Sequence, residues 1–250
     1  MNRRRAITVP YRKFLMSKKR SNTKFLLGIA VAVLVPLSCF LVVSQMSKGK
    51  SRMPRYYGVE RVEQLKDGKE DTIYHQVADL VLTNQLGHKV SLNKDLKGKM
   101  LVIDFFFTTC PSVCPQLTAN MHKLQTSYSK DPKKESSLDT VVQFISITVN
   151  PERDTFQALR AYADRYGANH DRWWFLTGDK KTIYNFARNE LHLPVGPGDG
   201  SADDFIHTEK MVLLDRDRNI RGYYDGLSDS SVLKCADDIV YLTLERKVRK

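Results

Sequence analysis

Cys110 and Cys114 stand four residues apart in the segment MLVIDFFFTTCPSVCPQLTANMHKLQ, residues 100–125. Two thiols at that spacing can close a disulfide or converge on one metal ion, and in both cases the thiolate is the reacting form. Ahead of them, residues 101–107 make a short apolar run rich in β-branched and aromatic side chains, the pattern of a strand buried on both faces. Behind them, from Pro115, the apolar residues Leu117, Met121, Leu124 and Tyr128 recur at helical spacing. Pro111 suits a first helical turn, where a missing N–H loses no partner. The sequence therefore predicts a strand, a cysteine-bearing turn and a helix, with both sulfurs on one helical face. Unpaired N–H groups and the dipole at a helix start favour thiolate. Inert buried cysteines need no polar turn, so the setting points to redox or metal chemistry.

The elements that must position this pair can be read along the chain. Residues 77–82 and 88–92 are expected as two short strands around the turn 83–87. A second strongly β-forming run covers 140–149 and ends at Asn150-Pro151-Glu152-Arg153-Asp154. Phe156, Leu159, Tyr162, Ala163 and Tyr166 then keep helical spacing up to Gly167. Residues 173–176 read as a strand, and Thr177-Gly178-Asp179 caps a helix with Ile183, Phe186 and Ala187 inward. Residues 193–203, rich in Gly, Pro and Asp, read as a loop, and 208–214 with 220–224 as a hairpin. A last helix from about Asp229 carries Val232, Ala236, Ile239, Val240 and Thr243 as its apolar stripe, with Cys235 beside it as a small core residue. Strands alternating with helices, then a hairpin and a helix, specify an α/β domain with a mixed central sheet, in the element order of a thioredoxin-like fold.

The formal net charge of +12 resembles a nucleic-acid signal but is carried largely by the N-terminus. Residues 1–24 hold nine bases and no acid, which leaves 31 bases against 28 acids elsewhere. No basic face remains that calls for a polyanion, so no nucleic-acid partner is expected. Residues 25–46 are uncharged over 22 positions, enough to cross a hydrocarbon core of roughly 30 Å. The domain organisation expected is a basic cytoplasmic N-terminus (1–24), a single uncleaved transmembrane helix (25–46), a linker (47–74) and the thioredoxin-like domain (75–250). Pro36 is tolerated in such a span, and Cys39 reads as a lipid-facing small residue. Basic residues running almost directly into the anchor favour a bacterial inner membrane with the C-terminal domain in the periplasm. An acid-free, Arg-rich leader is also compatible with a mitochondrial inner membrane and a domain in the intermembrane space.

Two thiolates are too few for a closed structural zinc site. Of the histidines, His122 lies over two helical turns past Cys114, and His170 and His192 sit beside polar loops. His207 stands between the glycine-rich loop and the start of the hairpin strand, which in a thioredoxin-like topology opens on the same sheet edge as the cysteine turn. A set of Cys110, Cys114 and His207 would be soft and three-coordinate, suiting Cu(I), or Cu(II) with an added weak ligand.

Several segments in order resemble the Sco/SenC family of membrane-tethered, thioredoxin-like copper proteins of cytochrome c oxidase assembly. DFFFTTCPSVCP is similar to its copper-binding stretch, ITVNPERDTFQALRAYADRYG to its Asp-Pro-Glu-Arg-Asp segment, and WWFLTGD and DFIHTEKMVLLDRDRNIRGYYDG to its later segments. The resemblance runs from about Gln76 to the C-terminus and implies copper binding by Cys110, Cys114 and His207. It further implies a copper donor and, as acceptor, the copper A subunit of the oxidase. Two positions depart from the family pattern: Ser112 where Asp is frequent, and Asn150 where Asp is usual. Copper delivery is the first expectation. The second is thiol–disulfide exchange on oxidase or other envelope cysteines, with Cys110 as nucleophile and Cys114 resolving. A peroxide-removing enzyme, for which Thr108 and Arg153 would have to flank the cysteine, is a minor third.

Overall fold

The computed structural model describes residues 23–47, 53–65, 68–127, 140–193 and 208–245. It separates into two compact units, Met1–Arg52 and Met53–Lys250. In the first, helix α1 spans Thr23–Ser47 and runs through Pro36. Its apolar side chains are exposed all round, among them Leu27, Val33, Phe40 and Val43, as a helix surrounded by lipid would have them. The 18 residues Leu27–Ser44 are long and apolar enough to cross a membrane. Ser38 and Ser44 return their hydroxyls to the carbonyls of Val35 and Leu41, so these polar groups need no outside partner.

The second unit is built on a seven-stranded mixed sheet in the order β4-β3-β7-β6-β5-β8-β9. Strands β5 (Met100–Phe106), β6 (Val142–Thr148) and β7 (Trp173–Thr177) are parallel. On one side β8 (Lys210–Leu214) and β9 (Ile220–Asp225) add as an antiparallel hairpin, and on the other β3 (Val81–Asn84) joins β7 with β4 (Lys89–Ser91) at the edge. Every residue of β5 and β6 is buried, which explains why neither shows a period-two alternation of apolar and polar residues.

Alternate residues feed two cores. Met100, Val102 and Phe106 face α2 (Val113–Ser127), α3 (Phe156–Arg165) and α5 (Asp229–Leu244), while Leu101, Ile103 and Phe105 pack with α4 (Lys180–Asn185) and the π-helical turn Phe186–Glu190 that extends it. Thr155 caps α3 by accepting the Ala158 N–H, and Asp179 caps α4 by accepting the Thr182 N–H at 2.7 Å. On α5 the buried apolar positions are Val232, Cys235, Ile239 and Leu242, whereas Val240 is exposed. The stripe is therefore rotated from the expected one, and Cys235 lies inside it as a fully buried core residue. Burial holds the Cys235 thiol well above its ordinary pKa.

The segment expected as a linker over 47–74 contains structure of its own. Strands β1 (Val59–Gln64) and β2 (Glu70–Tyr74) form a separate two-stranded antiparallel sheet, and the compact unit begins at Met53. All six side chains of β1 are exposed, so neither of its faces had to be apolar and no period-two signal marked it. Arg221 holds the segment before it. Its side chain, 1% exposed, pairs with Asp215 and Glu245, donates to the Pro54 carbonyl at 2.9 Å and stacks on Tyr56 at 3.9 Å. Tyr57 adds a backbone bond to Ile220 on β9.

Gly226, at the end of β9, carries a close approach. Its N–H bonds to the Glu209 carbonyl and its own carbonyl accepts from Asn120 on α2. A Cβ there would lie 2.1 Å from Leu117 Cδ1 and 3.0 Å from the Glu209 oxygen. Gly226→Ala is expected to destabilise the folded unit by about 1–3 kcal/mol through overpacking. Thermal unfolding followed by circular dichroism checks this, and an unchanged midpoint would show that α2 yields freely.

Candidate functional site

Strand β5 delivers the chain to the sheet edge at Phe106, and the turn that follows is closed by the Cys110 N–H on the Phe107 carbonyl at 3.2 Å. Helix α2 starts at Val113. Cys110 thus precedes the helix, and Cys114 is its second residue, which corrects the expectation that both lie on one helical face. The first N–H groups of a helix have no intrahelical acceptor, and the N–H of Cys114 turns to Cys110 Sγ at 3.3 Å. The sulfur caps the helix.

That arrangement separates the two thiols in acidity. At Cys110, partial burial disfavours the thiolate, but the Cys114 side chain and the N–H groups of Cys114, Ser112 and Val113 outweigh it and lower the pKa. Cys114 is buried, and burial, the hydrogen bond to Cys110 and the charge of Asp104 push its thiol up to about 12. Cys110 is half-buried, and both thiols are free. Cys110 is the more acidic of the two sulfurs, and Cys114 holds its proton at neutral pH.

Asp104 was not singled out by the sequence, although a lone acid within the apolar run of β5 is a visible signal. It is fully buried, and burial raises its carboxyl to about 7 against the hydrogen bond from Ser146. Ser146 donates to Oδ1 at 2.5 Å and accepts from the Trp173 indole at 2.9 Å. Oδ2 has no hydrogen-bond partner among the described residues.

The two cysteines open on a cavity of about 470 Å³, lined also by Phe107, Val149, Thr208, Glu209 and Lys210. His207 itself lies outside the described residues, as do the loop 194–203 and Tyr128. Among the described residues no three His, Cys, Asp or Glu side chains are grouped to hold a metal. His170, expected beside a polar loop, bonds to Asp164 at 2.8 Å and to Gln85 at 3.0 Å. His192 stacks near His75, which stands between Glu60 and Glu190. Of the two residues expected for peroxide chemistry, Thr108 gives its hydroxyl to Asp154 and Arg153 is exposed. Cys110 and Cys114 supply soft donors of the kind Cu(I) prefers, and the cavity leaves room for a further ligand.

Residues 69–240 match the family model described as SCO1/SenC. A SCO1 protein homolog of Bacillus subtilis is 33% identical over 172 residues, covering 68% of this chain and 82% of that one. For the other curated relatives considered, the match spans 49–60% of their length. BsSco, described as a member of the Sco family of cytochrome c oxidase assembly proteins with a disulfide switch, is similar in structure with a TM-score of 0.57 and 27% identity, covering 76% of this chain and 100% of that one. Bradyrhizobium japonicum ScoI, solved with copper bound, gives a TM-score of 0.50 at 26% identity and covers 66% and 98%.

Two outcomes follow. At neutral pH iodoacetamide is expected to alkylate Cys110 several-fold faster than Cys114, read by peptide mass spectrometry; equal rates would contradict the split in acidity. The folded chain holds the Asp104 proton between about pH 4 and about pH 7, where the unfolded chain has released it. The stability this contributes is full below about pH 4 and lost as pH rises through about 7. Asp104→Asn mimics the protonated group, so its stability relative to wild type should climb across that window to a few kcal/mol and then level off. Parallel pH–stability curves for the two proteins would refute the assignment.

Proposed function

The chain belongs to the SCO1/SenC family, and from that premise we propose that it is a membrane-anchored copper metallochaperone that delivers copper during cytochrome c oxidase assembly. Copper is the cargo, held by Cys110, Cys114 and His207. The observation that carries this reading is the pair of free thiols on one turn, opening on a cavity bordered by Thr208, the residue directly after His207. Two thiolates and an imidazole form a soft set suited to Cu(I). Copper comes from a donor protein and passes to the copper A subunit of the oxidase by exchange of thiolate ligands one at a time. Ser112 and Asn150 add no charge beside this set. Helix α1 is the anchor, with the basic residues 1–24 kept in the cytoplasm and the folded unit on the periplasmic side of a bacterial inner membrane.

A second reading is favoured by one observation, the difference in acidity between the sulfurs. A lowered Cys110 can attack a partner disulfide, and Cys114 then resolves the mixed disulfide, leaving the partner reduced and a Cys110–Cys114 bond behind. Such an exchange acts on the cysteines of the oxidase subunit or of other envelope proteins.

The test is copper stoichiometry on the reduced full chain in detergent under anaerobic conditions, beside Cys110→Ala, Cys114→Ala and His207→Ala. One tightly held Cu(I) per chain is expected, weakened in each variant by more than the roughly 10–100-fold seen for lost outer-shell partners. No specific copper, with a readily reduced Cys110–Cys114 disulfide, would leave thiol exchange as the function.

A further inference from the structure

Asp154 is completely buried, yet it is a carboxylate in a loop rather than in the centre of the sheet. Three donors converge on it. The Thr108 N–H reaches Oδ2 at 3.1 Å, the Thr108 hydroxyl reaches Oδ1, and the Thr148 hydroxyl reaches Oδ2 at 2.5 Å. The Thr148 oxygen in turn accepts the Asn150 N–H at 3.0 Å, and the Asp154 N–H returns to the Asn150 carbonyl at 2.9 Å. One side chain therefore ties together the second residue past β5, the last residue of β6 and the loop that leads into α3.

Its placement relative to the cysteines gives that knot a consequence. Thr108 is two residues before Cys110, and the Cys110 N–H is already fixed on Phe107. The path from the knot to the sulfur leaves only Thr109 unconstrained. Cys110 Sγ stands 3.3 Å from the Cys114 N–H, a bond that a displacement of a few tenths of an ångström weakens sharply. We propose that Asp154 is a positioning residue for Cys110, holding the cysteine turn so that its sulfur stays under the first amides of α2. All three groups donate, so they need acceptors on both oxygens. A carboxylate offers this, and an amide offers it on one side alone. Because the network is buried, losing one partner strands the others without water to replace it.

The proposal depends on Cys110 being the reactive sulfur of the site proposed above, and on neither copper nor a protein partner, so thiol chemistry tests it apart from that function. The full chain in detergent, reduced and free of copper, is alkylated with iodoacetamide at one neutral pH, and Cys110 and Cys114 are followed separately by peptide mass spectrometry. Asp154→Ala is expected to slow Cys110 by roughly threefold or more as its sulfur loses its place against the Cys114 N–H, with Cys114 unchanged. Asp154→Asn should recover part of the rate. Thr108→Val, which removes a single hydroxyl and keeps the backbone bond, should slow Cys110 in the same direction and decides the matter where Asp154→Ala does not fold. A merely structural role predicts the opposite, because loosening exposes both sulfurs and speeds both. Faster alkylation of the two cysteines together, or an unchanged Cys110 rate in Thr108→Val and in the folded Asp154 variants, would overturn the proposal.

Discussion

The N–H of Cys114 on the sulfur of Cys110 is the contact on which the site depends. A helix start leaves several amides without intrahelical acceptors, and here a thiol side chain takes the place usually held by a Ser or Asp cap. The bond stabilises charge on one sulfur and, through burial a turn deeper, withholds it from the other. It can form only because β5 ends and α2 begins within a few residues, and that short junction exists because β5 is buried on both faces and must leave the core abruptly.

The rest of the unit keeps that junction in place. Parallel pairing of β5 with β6 brings the ends of both strands to one edge, where Val149 bonds to the Phe106 carbonyl and Asp154 gathers Thr108 and Thr148. Antiparallel β8 lies on the other side of β5 and sets Thr208 to Lys210 on the cavity wall beside the cysteines. Helices α2, α3 and α5 cover the face below the site, and α4 with its π-helical extension covers the opposite one. The buried Arg221 network fixes the approach to β1 through Asp215, Glu245 and the Pro54 carbonyl.

Buried polar groups mark where the fold accepts cost for function. Asp104 and Asp154 are both fully buried but differ in their surroundings. Asp154 is met by three donors, whereas one oxygen of Asp104 is left without a hydrogen bond among the described residues. A carboxyl in the second situation favours its neutral form, and burial raises Asp104 to about 7, so it keeps its proton at pH values where a surface aspartate has none.

The sequence by itself determined the central strands β5, β6 and β7, the hairpin β8–β9, the helices packed on them, the apolar helix near the N-terminus, and the cysteine turn between residues 107 and 113, because each of these is written in local apolar spacing and turn chemistry; β3, expected over 77–82, lies at Val81–Asn84. It did not reveal the β1–β2 ribbon, whose exposed faces carry no periodic signal. Nor could it place the start of α2 at Val113, since Pro111 is compatible with a first helical turn and with the turn before it. The unequal acidity of Cys110 and Cys114 and the role of Asp154 were decided only by tertiary structure. The first arises from burial and from the hydrogen bonds of the turn itself, the second from hydrogen bonds between residues some forty positions apart, such as Thr108 and Asp154, and distances in space between such residues are set by how the sheet pairs, not by their spacing along the chain.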